Sequence, residues 1–250
     1  MNRTSNYQFT IIVPVYNEQD NIIRLESELS SYLKTAKMKS CILFVDDGSI
    51  DESEPMLRDV CTRHSDMFYI SFERNRGLSA ALKAGIDYSF SDYIGYIDAD
   101  LQTTPEDFNI LIEYAPQYAM VMGIRAERKD SFVKKVSSRL ANGFRKMMTK
   151  DKAIDTGCPL KIIKRECAKR LPLFNGMHRF LPALIMLQTG GDFMQFPVRH
   201  FPRIAGKSKY NMWNRITGPL LDCFAYCWMK KRYINYSVFS TNIHEPVLNI

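Results

Sequence analysis

The sequence lacks the glycine-rich loops with which many nucleotide-dependent enzymes hold phosphate. Its 12 glycines form neither the Gly-x-Gly-x-x-Gly pattern of dinucleotide-binding folds nor the Walker loop. This absence disfavours NAD enzymes and P-loop NTPases, and also sugar nucleotidyltransferases, which have a glycine-rich loop near the amino terminus. Charge and metal must therefore hold any phosphate that binds.

Cysteine pairs with metal-binding or redox spacing are also missing. The six cysteines, at positions 41, 61, 158, 167, 223 and 227, form no Cys-x-x-Cys pair and stand at no zinc-type spacing from histidine. We interpret them as reduced thiols of a cytosolic protein.

Long apolar runs are absent as well. The first residues, MNRTSNYQF, contain no apolar leader segment, and no run reaches the roughly 18 to 20 apolar residues that span a bilayer. We therefore expect neither secretion nor integral membrane insertion.

The chain does contain enough apolar sequence for a folded core. Of its 250 residues, 46% are hydrophobic, which suits one large domain or a domain with an appendage. The formal net charge of +7 favours an anionic partner, which could be nucleic acid, a nucleotide or an anionic membrane. Charge alone does not choose among the three.

Strand and helix patterns alternate through the first hundred residues. Apolar, β-branched runs predict strands at 9–16, 41–45, 68–72 and from 93 onward, and helical spacing predicts helices from 17, at 51–61 and at 78–88. This alternation predicts a mostly parallel sheet flanked by helices.

Each of these four strands ends in polar residues. They are Tyr16, Asn17 and Glu18; Asp46 and Asp47; Glu73, Arg74 and Asn75; and Asp98 and Asp100. Because the carboxyl ends of parallel strands meet at one edge of a sheet, we expect a ligand crevice there. Asp98 and Asp100 suit Mg²⁺ or Mn²⁺ holding a diphosphate, although most isolated Asp-x-Asp pairs are solvated turn residues.

Four motifs in order carry a resemblance to a known family. The segments IIVPVYNE, VDDGSIDES, RNRGLSAALKAGI and DADLQTTPED resemble those of inverting family 2 glycosyltransferases with the GT-A fold. More narrowly, they resemble dolichol-phosphate mannose synthases and bacterial polyprenyl-phosphate sugar transferases, over roughly residues 8 to 215. The resemblance implies a GT-A domain at 1–210, with a Rossmann-type mixed sheet, and an amphipathic extension at 211–250.

The resemblance also implies roles for individual residues. The positions that match binding of the base and ribose are Pro14, Tyr16, Glu18 and Asp47, with Asp46 as a neighbouring candidate. The positions that match the metal and diphosphate motif are Asp98, Asp100 and Gln102, and Arg125 stands where the family has an arginine near the transferred sugar or diphosphate. The alternative for Asp46 and Asp47 is a structural role in capping the next helix.

A strongly amphipathic helix is predicted at 131–148. Its apolar face contains Phe132, Val136, Leu140, Phe144 and Met147, and its basic face contains Lys134, Lys135, Ser138, Arg139, Arg145 and Lys146. A basic face is usually just solvated. The resemblance implies that Lys134 and Ser138 meet the acceptor phosphate, although the family more typically has arginine at the first position.

Two later segments add candidate site residues. Arg203, Gly206 and Lys209 lie in RIAGKSKY, which resembles the family's mobile loop, with the two cations touching phosphates and the glycine allowing the bend. The simpler interpretation is an exposed basic loop. His178 and Arg179 precede an apolar helix and would suit an anion there, although a lone histidine is more often structural.

Asp155 is the candidate general base of the turn at 155–159, in which Pro159 stands where relatives commonly have glycine. A base is needed if the acceptor is an alcohol. A phosphate monoester acceptor is already ionised near neutral pH, so we place Asp155 in the site without a catalytic role.

The C-terminal segment carries an aromatic and basic pattern. Trp213, Ile216, Leu220, Phe224 and Trp228 recur at helical spacing, and Lys230, Lys231 and Arg232 follow. The pattern is typical of an interfacial helix too short to span, and equally of a helix docked on the core. Peripheral membrane contact, or a separate membrane protein partner, would then bring the chain to its lipid.

These observations predict an inverting glycosyltransferase that uses Mg²⁺ or Mn²⁺. It would move a hexose-type sugar from a UDP or GDP sugar to a polyprenyl phosphate, of undecaprenyl or dolichyl type, at the cytoplasmic face of the membrane. The alternative within the family is transfer to a saccharide hydroxyl of a cell-envelope polysaccharide. A non-catalytic nucleotide or nucleic-acid binding module is disfavoured because acids at the strand ends would repel phosphate unless a metal intervened, so we expect no nucleic-acid partner.

Overall fold

A computed structural model describes residues 6–125, 143–191, 193–202, 217–234 and 240 of the chain. The strands within these residues form one sheet in the order β3-β2-β1-β4-β6-β5-β7. Their bounds are β1 Phe9–Val15, β2 Ser40–Asp46, β3 Met67–Ser71, β4 Tyr93–Tyr96, β5 Met120–Arg125, β6 Lys161–Lys164 and β7 Phe193–Val198. The neighbouring pairs are parallel except those of β6, which runs antiparallel to β4 and β5. The predicted mostly parallel sheet is confirmed.

Helices cover both faces of this sheet. Their bounds are α1 Gln19–Thr35, α2 Ser53–Arg63, α3 Leu78–Tyr88, α4 Phe108–Leu111, α5 at 143–149, α6 Arg165–Lys169, α7 Leu181–Thr189 and α8 Thr217–Arg232. One core layer packs α1, α2 and α4 against the sheet, and the other packs α3, α7 and α8 against its opposite face. All seven residues of β2 are buried because both faces are covered, as the unbroken apolar run predicts.

Strand β6 was not predicted. Its four residues, KIIK, are too short and too charged at their ends to give a clear period-2 signal. The strand inserts between β4 and β5 and pairs Lys161 with Tyr96. A lysine is thereby placed beside the end of β4, where the Asp98 turn begins.

The prediction for the faces of the helix at 131–148 was wrong at two positions, Arg145 and Met147. Residues 126–142 lie outside the described part, and within α5 Arg145 is buried at 6% exposure while Met147 is 64% exposed. The Arg145 guanidinium bonds the Asp151 carboxylate and, at 3.2 Å, the Ala153 carbonyl. A buried ion pair fixed by the following loop has therefore overridden the apolar periodicity.

Helix α8 docks on the core through one face only. Cys223 and Tyr226 are buried, and the Tyr226 ring stacks on Phe180 with centroids 5.9 Å apart. The described part of the predicted apolar stripe faces outward: Leu220 is 39% exposed, Phe224 58% and Trp228 65%. Trp213 and Ile216 lie outside the described residues. In the described residues, no helix combines the length and apolarity that crossing a bilayer requires.

Candidate active site

A cavity of about 460 Å³ lies at the carboxyl ends of β1, β2 and β3. The residues that line it include Tyr16, Asp46, Ser49, Asp51, Glu54, Ser71, Phe72, Glu73 and Arg74. Aromatic and carboxylate groups suit a nucleobase and a ribose, because carboxylates accept hydrogen bonds from base N–H and sugar O–H groups. A wall this acidic does not suit a phosphate without a cation.

The two adjacent carboxylates after β2 have different surroundings. Asp46 accepts hydrogen bonds from the Ser49 backbone N–H at 3.2 Å and the Ser71 hydroxyl at 2.8 Å, and it lines the cavity. Asp47 accepts from the Asn75 amide and from the backbone N–H groups of Arg76 and Gly77, at 2.6 to 2.9 Å, and does not line it. Burial raises the pKa of Asp47 while these backbone hydrogen bonds lower it. Asp47 thus anchors the loop that begins α3, and Asp46 faces the ligand space.

The residues after β1 tie that strand to the loop after β2. Asn17, at φ 49°, receives a hydrogen bond from the Ile50 N–H on its side chain and donates its own N–H to the Ser49 hydroxyl, both at 2.9 Å. Glu18 precedes α1 and accepts from the Asn21 amide at 2.6 Å. Pro14 lies within β1, opposite Val45 of β2. These bonds fix the position of Tyr16 at the cavity wall.

The Asp98 to Asp100 turn follows β4 directly. Asp98 is partly buried and accepts a hydrogen bond from the Tyr96 hydroxyl, while Asp100, at 8% exposure, accepts from the Gln102 N–H at 3.1 Å. Leu101 holds φ at 47°, which turns the chain tightly between them. Burial, and then the charge of Asp100, raises the pKa of Asp98 to about 6, against the opposing effects of Tyr96, Lys161 and Arg125.

The donor set of this turn fits a divalent cation that keeps part of its own hydration. Among the described residues, no group of three His, Cys, Asp or Glu side chains is placed to enclose a metal ion. Mg²⁺ and Mn²⁺ do not need such an enclosure, because one or two carboxylates, waters and substrate phosphates complete their coordination. Asp98, whose pKa is raised, and the neighbouring carboxylate of Asp100 suit that role.

Gln102, the third residue of the predicted metal motif, turns toward the chain after β7. Its amide donates to the Phe201 carbonyl at 3.3 Å, and its backbone carbonyl accepts from the Phe201 N–H at 2.8 Å. His200 Nδ1 lies 3.1 Å from the same carbonyl. Arg199 is held nearby by the buried Asp107 carboxylate at 2.7 to 2.8 Å. The chain at His200 and Phe201 is therefore held against Gln102, two residues after Asp100.

Arg125 and Asp155 form a bidentate ion pair at the end of β5. Arg125 Nε and Nη2 donate to the two oxygens of Asp155 at 2.7 and 2.8 Å, and the Arg125 backbone N–H adds a third bond at 3.2 Å. The side chains are 16% and 9% exposed. Burial lowers the pKa of Arg125, but the hydrogen bonds and the charge of Asp155, with the charges of Cys158 and Asp98, outweigh it and raise the pKa, so the cation is permanent. Both carboxylate oxygens of Asp155 are engaged.

Lys161 is a site residue that the sequence alone did not reveal. It is 2% exposed, its ammonium donates to the carbonyls of Thr156, at 3.3 Å, and Cys158, and it lies 5.8 Å from the centre of the Tyr96 ring. Burial lowers its pKa, while Cys158, Asp155 and Asp98 raise it. The sequence would have indicated Lys161 as the first residue of a strand, but only if β6 had been predicted.

Four predicted phosphate-binding residues lie outside the described part of the chain. They are Lys134, Ser138, Arg203 and Lys209. Their roles stay predictions.

Comparison with known proteins agrees with this geometry. The family model described as Glycosyl transferase family 2 matches residues 10–171. An undecaprenyl-phosphate 4-deoxy-4-formamido-L-arabinose transferase from Edwardsiella ictaluri is 33% identical over 205 residues, which are 81% of this chain and 63% of the relative. The transferase of the same name from Aeromonas hydrophila is 30% identical over 218 residues, 86% of this chain and 67% of the relative. The chain therefore spans somewhat less than two thirds of the first relative.

Solved structures share the fold at low sequence identity. A mannosyltransferase from Pyrobaculum calidifontis, solved with GDP-Man and Mn²⁺, has a TM-score of 0.62 and 20% identity over 90% of this chain and 65% of its own. Glucosyl-3-phosphoglycerate synthase from Mycobacterium tuberculosis, solved with UDP, has a TM-score of 0.67 and 16% identity over 90% and 82% of the two chains. The likeness confirms the predicted GT-A fold.

Proposed function

The chain belongs to glycosyl transferase family 2, and on that premise we propose that it moves a sugar, with inversion, from a UDP or GDP sugar to a polyprenyl phosphate. The observation that carries the proposal is one sheet edge that combines an acid-lined cavity with the Asp98 to Asp100 turn. The first suits a nucleoside and the second suits a metal-bound diphosphate. The names of the relatives from E. ictaluri and A. hydrophila support a polyprenyl phosphate as acceptor.

Each part of the site has a distinct task in this reaction. Tyr16 and Asp46 hold the base and ribose, with Pro14, Glu18 and Asp47 supporting that wall. Asp98 and Asp100, with Gln102 beside them, would hold Mg²⁺ or Mn²⁺. When bound, the cation neutralises charge on the departing diphosphate. Arg125, held by Asp155, adds a fixed positive charge at the same edge.

The Arg125 and Asp155 pair favours a phosphate acceptor over a saccharide hydroxyl. An alcohol nucleophile needs a carboxylate with an open oxygen to accept its proton. Both oxygens of Asp155 accept hydrogen bonds from the Arg125 guanidinium, so neither is directed at an acceptor alcohol. An ionised phosphate needs only alignment behind the anomeric carbon, which is what fixed donors supply.

We also propose that α8 brings the chain to the cytoplasmic face of an anionic membrane. Its outer face exposes Leu221, Phe224 and Trp228 by 58% to 70%, and Lys230, Lys231 and Arg232 follow. The Arg232 guanidinium lies 5.4 Å from the centre of the Trp228 ring. Aromatic rings with adjacent cations bind the headgroup region of acidic lipids. The six cysteines, unpaired in the structure, suit a reducing compartment.

Transfer of radiolabelled sugar tests the reaction. The chain is incubated with a panel of UDP and GDP sugars and undecaprenyl phosphate in detergent, with Mg²⁺, Mn²⁺ or EDTA, and organic-phase label is counted. We expect metal-dependent label that Asp98→Asn abolishes and the control Asp87→Asn, an exposed residue of α3, preserves. Slow release of free sugar without lipid product would support a saccharide hydroxyl acceptor. Nucleotide binding that ignores chelation, with no turnover, would support a non-catalytic module.

Sedimentation with vesicles tests the membrane contact. We expect binding to vesicles containing phosphatidylglycerol, weaker binding to phosphatidylcholine alone, and a loss in Trp228→Ser. Ile23→Ser is the matched control, because Ile23 is 71% exposed on α1 and lies outside the proposed face. If pure lipid fails to bind the chain but native membranes succeed, a membrane protein partner replaces the lipid contact.

A further inference from the structure

Ser79, in the first turn of α3, holds the segment that contains His178. Its hydroxyl oxygen lies 3.1 Å from the Gly176 nitrogen, 3.4 Å from the His178 nitrogen and 2.8 Å from His178 Nδ1. Ser79 itself is 3% exposed, so water does not replace these contacts. A single buried hydroxyl thus organises the approach of residues 176–178 to the amino end of α3.

The hydrogen-bonding capacity of the Ser79 hydroxyl determines the tautomer of His178. A serine hydroxyl has one hydrogen and two lone pairs. The backbone N–H groups of Gly176 and His178 occupy both lone pairs, so the hydroxyl hydrogen goes to Nδ1. Nδ1 is therefore an acceptor, and the proton of the neutral ring is on Nε2.

The ring stays neutral at any working pH. Burial lowers the pKa of His178 to about 3, and the positive charges of Arg179 and Lys161 act in the same direction. Arg179 Nη1 lies 3.7 Å from Asp222 Oδ2 of α8, and this carboxylate offsets part of the charge of Arg179. The sequence predicts that His178 and Arg179 suit an anion, and at His178 the group concerned is a neutral ring in positive surroundings.

Ser79 holds the ring at the amino end of α3, which follows the carboxyl end of β3. The positive charge of Lys161, the buried residue that opens β6 opposite Tyr96, also acts on the ring. The Tyr96 hydroxyl in turn bonds Asp98. Within the described part of the chain, no side chain or carbonyl accepts from Nε2. A directed N–H donor beside two cations, at the carboxyl edge of the sheet, suits an anionic oxygen.

We propose that His178 is a catalytic residue that donates from Nε2 to a phosphate oxygen of the substrates, and that Ser79 is the positioning residue that sets its tautomer. This inference rests on the proposed function. The oxygen belongs either to the diphosphate of the sugar nucleotide or to the phosphate of the lipid, and both offer the same chemistry. No proton is transferred, because the ring acts only as a donor.

Two substitutions separate the near and far nitrogens of the ring. His178→Asn keeps an amide group near the position of Nδ1, where Ser79 can still bond it, and removes the far donor. His178→Gln places an amide N–H near the position of Nε2. We expect His178→Asn to lower kcat/KM by about 10- to 100-fold, the size of one hydrogen bond to a charged group, and His178→Gln to restore most of it.

Two readouts identify the source of the oxygen. If it is the donor diphosphate, His178→Asn weakens calorimetric binding of UDP or GDP with Mn²⁺. If it is the lipid phosphate, nucleotide binding is unchanged and KM for undecaprenyl phosphate rises or kcat falls. Wild-type kinetics in His178→Asn, or an equal loss in both variants, would overturn the assignment.

The tautomer is tested without turnover. Nitrogen chemical shifts of ¹⁵N-histidine protein distinguish a protonated from an unprotonated ring nitrogen, and His178→Gln identifies the signal. We expect the proton on Nε2 in the wild type and a mixture of tautomers in Ser79→Ala. A proton on Nδ1 in the wild type would refute the inference even if sugar transfer succeeds. If the wild type transfers no sugar to lipid, the proposed function fails and the tautomer is still decided.

Discussion

Replacement of Gly48 tests how tightly the nucleotide cavity is built. Gly48 follows Asp47 with φ at +67°, and a Cβ there would lie 2.3 Å from the Arg74 carbonyl carbon and 2.7 Å from the Asn75 nitrogen. Both are backbone atoms of the connection between β3 and α3, so no side-chain rotation can relieve the contact. Gly48→Ala must displace one wall of the cavity.

The cost has two parts. A non-glycine residue in the left-handed region costs about 1 to 2 kcal/mol, and forcing atoms into a packed site costs about 1 to 3 kcal/mol more. Gly190 supplies the matched control: it ends α7 at φ +81°, and a Cβ there would meet nothing within 4 Å. We therefore expect a loss of about 2 to 5 kcal/mol for Gly48→Ala and about 1 to 2 kcal/mol for Gly190→Ala.

Urea unfolding and calorimetry measure the difference. For a domain of this size, 1 kcal/mol shifts Tm by about 2 to 4 °C, so Gly48→Ala should unfold well below Gly190→Ala. Gly48→Ala should also weaken binding of UDP or GDP, because Gly48 lines the cavity, and Gly190→Ala should not. Equal destabilisation of the two variants, with unchanged nucleotide affinity, would refute the packing argument.

Three further predictions concern the carboxylates. The pKa of Asp98 is raised to about 6, so protons compete with Mn²⁺ for this carboxylate below that pH. Calorimetry should show Mn²⁺ affinity weakening by up to about tenfold per pH unit below 6 and levelling off above about 7. An affinity that does not change with pH would contradict this. Tyr96→Phe removes the hydroxyl that favours ionised Asp98, so the midpoint of that profile should move to higher pH. Asp155→Asn should lower the free energy of unfolding by about 3 to 5 kcal/mol, because Arg125 loses its partner, and should leave the acidic limb of the pH-rate profile in place. Loss of that limb would restore Asp155 as a base.

The parallel sheet could be predicted from the sequence because the patterns that indicate its strands are local. Each of the first four strands is an apolar run that stops at polar residues, and their alternation with helices predicts that they pair in parallel. Asp98 and Asp100 could be placed at the carboxyl edge for the same reason. Helix α3 begins and ends at the predicted residues, Leu78 and Tyr88.

The features that the sequence did not reveal depend on contacts between distant segments. Lys161 joins the site only because β6 runs antiparallel beside β4. Arg145 is buried only because the loop at 151–153 returns over α5. Neither contact produces a periodic pattern of apolar residues in the sequence, because tertiary packing fixes both the buried ion pair and the inserted strand.

The neighbours Asp46 and Asp47 show the same limit within a single dipeptide. Successive residues at a strand end point to opposite sides, so one carboxylate can reach the ligand space while the other reaches the next loop, and composition does not say which. The structure turns Asp47 toward the Arg76 and Gly77 N–H groups that precede α3. The same helix carries Ser79 two residues later, and Ser79 orients His178. Asp47, which the resemblance matches to the nucleotide site, thus also fixes the helix end on which the proposed phosphate donor depends.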